Sequence, residues 1–501
     1  MRSLFKLMAF ATIFSLAFSA KAQTTTAAIS GDFPDPSIIH TANGYYAVGT
    51  SSEWAPHYPV YHSVDLKSWK QTGYVFDKTP DWIVGSFWAP EYYKIKDTYY
   101  IYYTARRKSD NISCIGVATS KYPDHGFTDH GVIIDHGKEA IDAFIYNDKG
   151  QLYISFKAYG LDNRPIELLA QKVTPDGLKA YGETISLLKD DNKKGMEGQS
   201  FLKHGKYYYL FYSAGGCCGI GCSYHVKVAR ATKFAGPYEK YEASELLKPA
   251  DGWKCSGHGT FTQDAQGRYY YIMHAYNQRS EVFTGREGML ATLNWDGKDG
   301  WPTMKAVATK HPYPDIHDKF IAKKPALYWQ YDFHNAAPVV TQGNGKLSLS
   351  GTMLAENKSG IMYGIRPVSD HFEMSTTVTN HNEALKGLAF YGTTKAILGL
   401  TTSSSQVKLW LIKDGNISVL DSAAVNTGSP VQLKFSMMPD RTCKAWYKQG
   451  TNEWKELATG NKVSISELPQ WDRPQRIGLF FKGTPNESAV FSEFDLVNKA
   501  D

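Results

Sequence analysis

Alternating apolar and polar positions, broken at regular intervals by tight turns, run through the first three hundred residues. One unit recurs five times, each time as a polar start, a tight turn and a Tyr-rich strand. The copies are PDPSIIHTANGYYAVGTS from Pro34, WAPEYYKIKDTYYIYYTA from Trp88, AIDAFIYNDKGQLYISF from Ala140, GMEGQSFLKHGKYYYLFYS from Gly195 and GHGTFTQDAQGRYYYIMHAY from Gly257. Period-two alternation of this kind predicts half-buried strands. Asn43-Gly44, Lys149-Gly150, His204-Gly205 and Gln266-Gly267 sit where consecutive strands must reverse, which predicts hairpins. A third strand follows each hairpin, as in VYHSVDLKSW and YHVKVARAT, and a weaker edge strand follows that.

Four strands per unit at this spacing predict the blades of a five-bladed β-propeller over residues 28–315. The first strand of each blade lines the central channel, so residues at its start converge at one mouth. The repeat aligns Asp35, Glu91, Asp142, Glu197 and His258 at that point. A ring of acids has a cost in mutual repulsion, which marks it as a site with a task. The repeat stops near Pro314, and residues 316–326, with HDKFIAKKP inside, read as a linker. Residues 327–500 then show short alternating strands without helical periodicity (LYWQYDF, KLSLSGT, HFEMSTTVT, GLAFYG, KLWLIKD, VQLKFSM, RIGLFFKG), which predict a jelly-roll β-sandwich. The fold class is all-β.

Composition narrows the setting. Residues 1–22 combine Arg2 and Lys6, an apolar run from Leu7 to Ala20, and the small-x-small site Ala20-Lys21-Ala22, the order of a signal peptide. Export to the periplasm or cell exterior follows, and no later stretch is apolar enough for membrane insertion. The net charge is +6, and removing Arg2, Lys6 and Lys21 with the leader leaves +3. Such a balance gives no electrostatic case for nucleic acid. Of the six cysteines, Cys114 and Cys443 lie in apolar strands and read as buried thiols. Cys217, Cys218, Cys222 and Cys255 fall on neighbouring blades in an oxidising compartment. They favour a vicinal Cys217–Cys218 disulfide with Cys222–Cys255 bridging the blades, against the alternative of reduced pairs.

Cleaving a glycosidic bond takes two carboxyl groups, one protonating the leaving oxygen and one activating water or attacking directly. Asp35, Asp142 and Glu197 supply such a set from three blades. Six segments in order (PDPSII, WAPE, AIDAF, MEGQSF, GHGTF and GREGML) resemble glycoside hydrolase family 43. That resemblance implies an inverting five-bladed propeller enzyme, with Asp35 as general base and Glu197 as general acid. Asp142 becomes the group that orients Glu197 and raises its pKa. Asp32 is the rival to Asp35, which is preferred because it directly precedes Pro-Ser. The resemblance further implies Arg286, Trp88, Phe33 and His258 as substrate contacts. His258 is also the candidate to hold a metal, commonly calcium, on the propeller axis, although the chemistry itself requires no cofactor.

The segment SAGGCCGIGCSYHV, from Ser213 to Val226, resembles arabinan-cleaving members, although the Asn that often follows the Gly-His pair is missing. GLAFYG resembles the concanavalin-like sandwich attached to exo-acting members. Together they favour an exo-acting α-L-arabinofuranosidase on arabinose- or xylose-containing oligosaccharide or polysaccharide. β-D-Xylosidase, endo-arabinanase and a non-catalytic sugar-binding propeller remain the alternatives.

Overall fold

The computed structural model describes residues 24–499 apart from 160–165, 192, 243–245, 248, 250–251, 281 and 355, so the expected signal peptide lies outside the described residues. The five repeats fold as five antiparallel sheets whose first strands are Ser37–Thr41, Ile83–Ile95, Glu139–Asp148, Met196–His204 and Trp253–Gln263. Each first strand packs on the first strand of the next blade, and the fifth packs on the first, closing the ring. The hairpin residues Lys149 (φ 53°) and Gly150 (φ 95°) both adopt the left-handed conformation that a two-residue turn requires. The ring is fastened by the N-terminal strand Ile29–Asp32, which pairs with Arg286–Asn294 of the last blade. Tyr, Phe, Ile and Val side chains from facing sheets fill the space between blades, with Tyr102, Tyr103, Tyr209 and Tyr271 fully buried.

The C-terminal strands form two facing sheets of nine and eight strands around a core that includes Phe390, Leu398, Leu433, Phe435 and Phe491. Six of the seven segments expected to be strands there are strands, and of LYWQYDF only Gln330–Asp332 is. The linker reading of residues 316–326 needs correcting. Ile316–Asp318 pairs with Phe494–Leu496 as part of the nine-stranded sheet, and Phe320 is buried in the sandwich core. In the other direction, Trp54–Ala55, between the second and third strands of the first blade, pairs with Gln330–Asp332 and ends the eight-stranded sheet.

Candidate active site

The first strands share an irregularity that builds the site. Ladder register breaks at Trp88/Glu91, Ile141/Phe144, Glu197/Ser200 and Lys254/Gly257/Gly259. At or beside these breaks Ala89, Asp142, Gly198 and His258 take positive φ (43°, 59°, 59° and 41°), and Asp35 does so (52°) at the start of the first blade. Bulges re-aim a side chain off the pleat, and left-handed backbone at non-glycine residues persists only where its surroundings enforce it. The enforcing contacts are visible. A side chain of the preceding blade accepts the backbone N–H of each residue: His274 Nδ1 for Asp35 (3.0 Å), Thr50 Oγ1 for Ala89 (2.7 Å) and Thr104 Oγ1 for Asp142 (3.0 Å). Asp142 Oδ2 accepts Gly198 N–H (3.1 Å), and Ser213 Oγ accepts that of His258 (2.8 Å).

This backbone repeat corrects the sequence alignment. The equivalent positions are Asp35, Ala89, Asp142, Gly198 and His258, so Glu197 stands one residue before its blade's turn and Glu91 two residues after. Glu91 is buried below the site, accepting a hydrogen bond from Ser37 Oγ (2.5 Å), and does not line the cavity. At Gly198 an added Cβ would lie 2.7 Å from the His258 ring, so this position also needs glycine for space.

Asp35, Asp142 and Glu197 line one cavity of about 340 Å³ with His258, Arg286 and Trp88. Asp35 Oδ2 accepts from Thr50 Oγ1 (2.7 Å), and Oδ1 accepts from Arg286 Nη1 (3.2 Å). His258 Nδ1 lies 3.3 Å from Asp35 Oδ1 and 3.8 Å from Asp142 Oδ2. Glu197 Oε1 accepts from Tyr224 OH (3.0 Å), and Lys157 Nζ donates to its Oε2. Burial opposes ionisation of Asp35, but Arg286 and His258 hold its carboxyl well below the ordinary range. Burial would lower the His258 pKa, yet Asp142, Asp35 and Glu197 raise it to about 9. Burial and the Glu197 charge, against His258, raise Asp142 to about 6.

Glu197 behaves opposite to expectation in the free protein. Burial pushes it up, but the Lys157 ammonium, His258 and Tyr224 bring it below its ordinary value. Asp142, expected to raise it, instead fixes the adjoining backbone through Gly198 and carries the raised pKa itself.

Arg286 pairs with Asp35, and its Nη2 donates to the Asp472 carbonyl (3.1 Å). Phe33 is not a cavity residue. It is fully buried and packs edge-on against Tyr61, 5.1 Å between centroids. Asp32, the rival base, also stays outside, held by Arg476 (3.5 Å) and the Arg286 N–H (3.3 Å). His258 Nδ1 is taken up by the Asp35 and Asp142 carboxylates. Among the described residues no group of three or more His, Cys, Asp or Glu side chains could hold a metal ion.

Both expected disulfides are present, Cys217–Cys218 and Cys222–Cys255, and Cys114 and Cys443 are buried free thiols. Cys217 and Cys218 line the cavity. Sequence reasoning missed Lys157, Tyr159, Tyr224, Trp471 and Asp472. The last two come from the sandwich, and Trp471 is 68% exposed at the rim.

Residues 25–302 match the family described as glycosyl hydrolases family 43. The extracellular exo-α-(1→5)-L-arabinofuranosidase ArbA of Cellvibrio japonicus is 30% identical over 306 residues, covering 54% of this chain and 86% of that protein. The extracellular endo-α-(1→5)-L-arabinanase 1 of Bacillus subtilis is 25% identical over 292 residues, covering 54% and 86%. The crystal structure of xylan β-1,4-xylosidase from Bacillus halodurans superposes with a TM-score of 0.81 at 21% identity, covering 95% of this chain and 100% of that one. That likeness extends the shared fold through the sandwich. Among the described residues no helix is long and apolar enough to cross a membrane.

Proposed function

Because this chain belongs to glycoside hydrolase family 43, we propose that it is an exported, inverting exo-α-L-arabinofuranosidase, releasing terminal arabinofuranose from plant cell-wall polysaccharide or oligosaccharide. The observation that carries the reading is the convergence of three carboxylates, from three blades, on one cavity. Asp35, held ionised by Arg286, is suited to take a proton from the attacking water. Glu197 faces the same cavity on a different blade and is suited to protonate the leaving oxygen. Asp142 orients Glu197 through the Gly198 backbone and, raised to about 6, holds a proton beside it in mildly acid solution. The two acids interact, so they titrate as a pair and the proton is shared between them. Trp88, Tyr159 and Trp471 supply ring surface for a sugar, and Arg286 and His258 supply donors for its hydroxyls. The wall contributed by Trp471 and Asp472 restricts the cavity on one side, which favours removal of a chain end.

The identity with an exo-arabinofuranosidase supports the choice of sugar, and the extracellular names of both curated relatives support export. The test is hydrolysis of aryl α-L-arabinofuranoside, aryl β-D-xyloside and linear arabinan, with the anomer of the first product followed by NMR. Preference for the arabinofuranoside with inversion is expected. Preference for the xyloside, or mid-chain cleavage of arabinan, would replace this reading, and binding without turnover would indicate a lectin.

A further inference from the structure

A second cavity, of about 550 Å³, opens where the first blade, the N-terminal strand and the sandwich meet. It shares no residue with the active-site cavity. Its size falls in the roughly 300–1,000 Å³ range of small-molecule sites, and such sites favour domain junctions. Tyr61 and Trp69 of the first blade and Tyr328 of the sandwich line it, with Arg366 and Gln71 among them. Its rim is open to solvent at Lys70, Asp315 and Leu327.

We propose that this junction cavity is a second saccharide-binding site, holding an uncut stretch of the pentose chain whose end is cleaved in the propeller. The chemistry of the lining selects the ligand. Aromatic rings suit the C–H face of a sugar, while amide and guanidinium donors suit its hydroxyls. Arg366 donates to the Asp32 carbonyl (2.8 Å), to Tyr61 OH and to Gln71 Oε1 (3.4 Å), which fixes the Gln71 amide. Gln71 is held on its other side by a side-chain hydrogen bond with Tyr74, so the polar groups among the rings are fixed in place. The lining does not select an anion, because Arg366 is offset by Asp32 and Lys70 stands with Asp315. A neutral polyhydroxyl ligand is the one that matches ring surface interleaved with amide and guanidinium groups.

The inference rests on the reading that the substrate is a pentose oligosaccharide, and its test separates the two. Glu197→Gln protein is titrated calorimetrically with α-1,5-linked arabinotriose and with β-1,4-linked xylotriose. Two binding equivalents are expected for at least one of these probes. Adding Trp69→Ala or Gln71→Leu should weaken the second equivalent by about tenfold and leave the first unchanged. Ser30→Phe, which adds bulk at a lining residue of the N-terminal strand, should do the same and guards against misfolding of the Trp69 variant. In the chain with Glu197 intact, these substitutions should leave aryl-glycoside hydrolysis unchanged while raising KM for the polymer. A single equivalent for both probes, or a second equivalent indifferent to all three substitutions, would overturn the proposal. Failure to hydrolyse aryl arabinofuranoside would sink the arabinofuranosidase reading and leave the stoichiometry to be judged by itself.

Discussion

Lys157 governs when the Glu197 carboxyl holds a proton. Its ammonium lowers that pKa, so removing it should raise the pKa and move the alkaline limb of kcat/KM to higher pH. Lys157→Met is expected to shift that limb upward when the leaving group is poor. A fall in rate at every pH with the limb unmoved would mean that Lys157 only shapes the cavity. Glu197→Gln should cost on the order of 10²–10⁴ in kcat on substrates with poor leaving groups and far less on activated aryl glycosides. Equal losses on both would remove Glu197 as the proton donor. Asp35, Glu197 and Arg286 were legible in the sequence because each sits in a short motif beside Pro or Gly, and Asp142 because an acid stands alone in the apolar run AIDAF at the start of a repeat. Lys157 and Tyr224 were not, since an inward polar residue on an apolar strand or after a loop has no local signature. Phe33 misled for the complementary reason. Nearness to Asp35 in sequence says nothing about facing, because residues 33–36 lie outside any strand and the left-handed turn at Asp35 (φ 52°) breaks the alternation.

The loop from Gly215 to Ser223 is the element that joins the fourth and fifth blades at the cavity. Gly216 and Ser223 exchange hydrogen bonds across its neck, and Gly219 N–H donates to Tyr276 OH (3.2 Å). Cys222–Cys255 ties it to the strand that presents His258 three residues later, across a sequence separation of 33. Chain-entropy bookkeeping puts the stabilisation from closing such a loop at about 3–4 kcal/mol. Cys222→Ser should therefore lower the melting temperature and raise KM, because the Cys217–Cys218 wall and the His258 strand lose their tether. Unchanged melting and unchanged KM would show the tether to be inert. Blades and disulfides were legible as elements because hairpin turns and apolar alternation are local signals. The register of the functional turns was not. Acids stand out in a sequence, whereas the equivalence of Ala89 and Gly198 with Asp35 exists only in backbone torsions.

At the scale of the molecule, pairing across the junction was beyond the sequence, because Trp54–Ala55 and Ile316–Asp318 are short strands that acquire partners only in the fold. The buried titratable groups spread over both halves of the ring make a further collective prediction. Burial lowers His57 from 6.5 to about 3 and His274 to about 4. Their stabilising contribution is complete above pH 6.5 and is lost as pH falls, since the unfolded chain then binds protons that the folded chain refuses. Burial raises Glu91 and Glu287 from 4.5 to about 8, so their contribution is complete below 4.5 and is lost as pH rises. His258, raised to about 9 by its carboxylates against burial, loses its contribution over the range from 6.5 upward. Between pH 4.5 and 6.5 the histidines offset Glu91 and Glu287 but not Asp142, raised from 3.8 to about 6, whereas above 6.5 Glu91, Glu287 and His258 all favour unfolding. The melting temperature should thus decline gently across that interval, fall toward acid below it, and fall more steeply above it. Calorimetric scans from acid to alkaline pH would read this directly. Glu91→Gln keeps a neutral side chain beside Ser37 while removing one of the three groups, so it should make the alkaline decline shallower and leave the acid side unaltered. A melting maximum in the alkaline range, or an alkaline slope that Glu91→Gln does not change, would show that these groups do not set the pH dependence of folding.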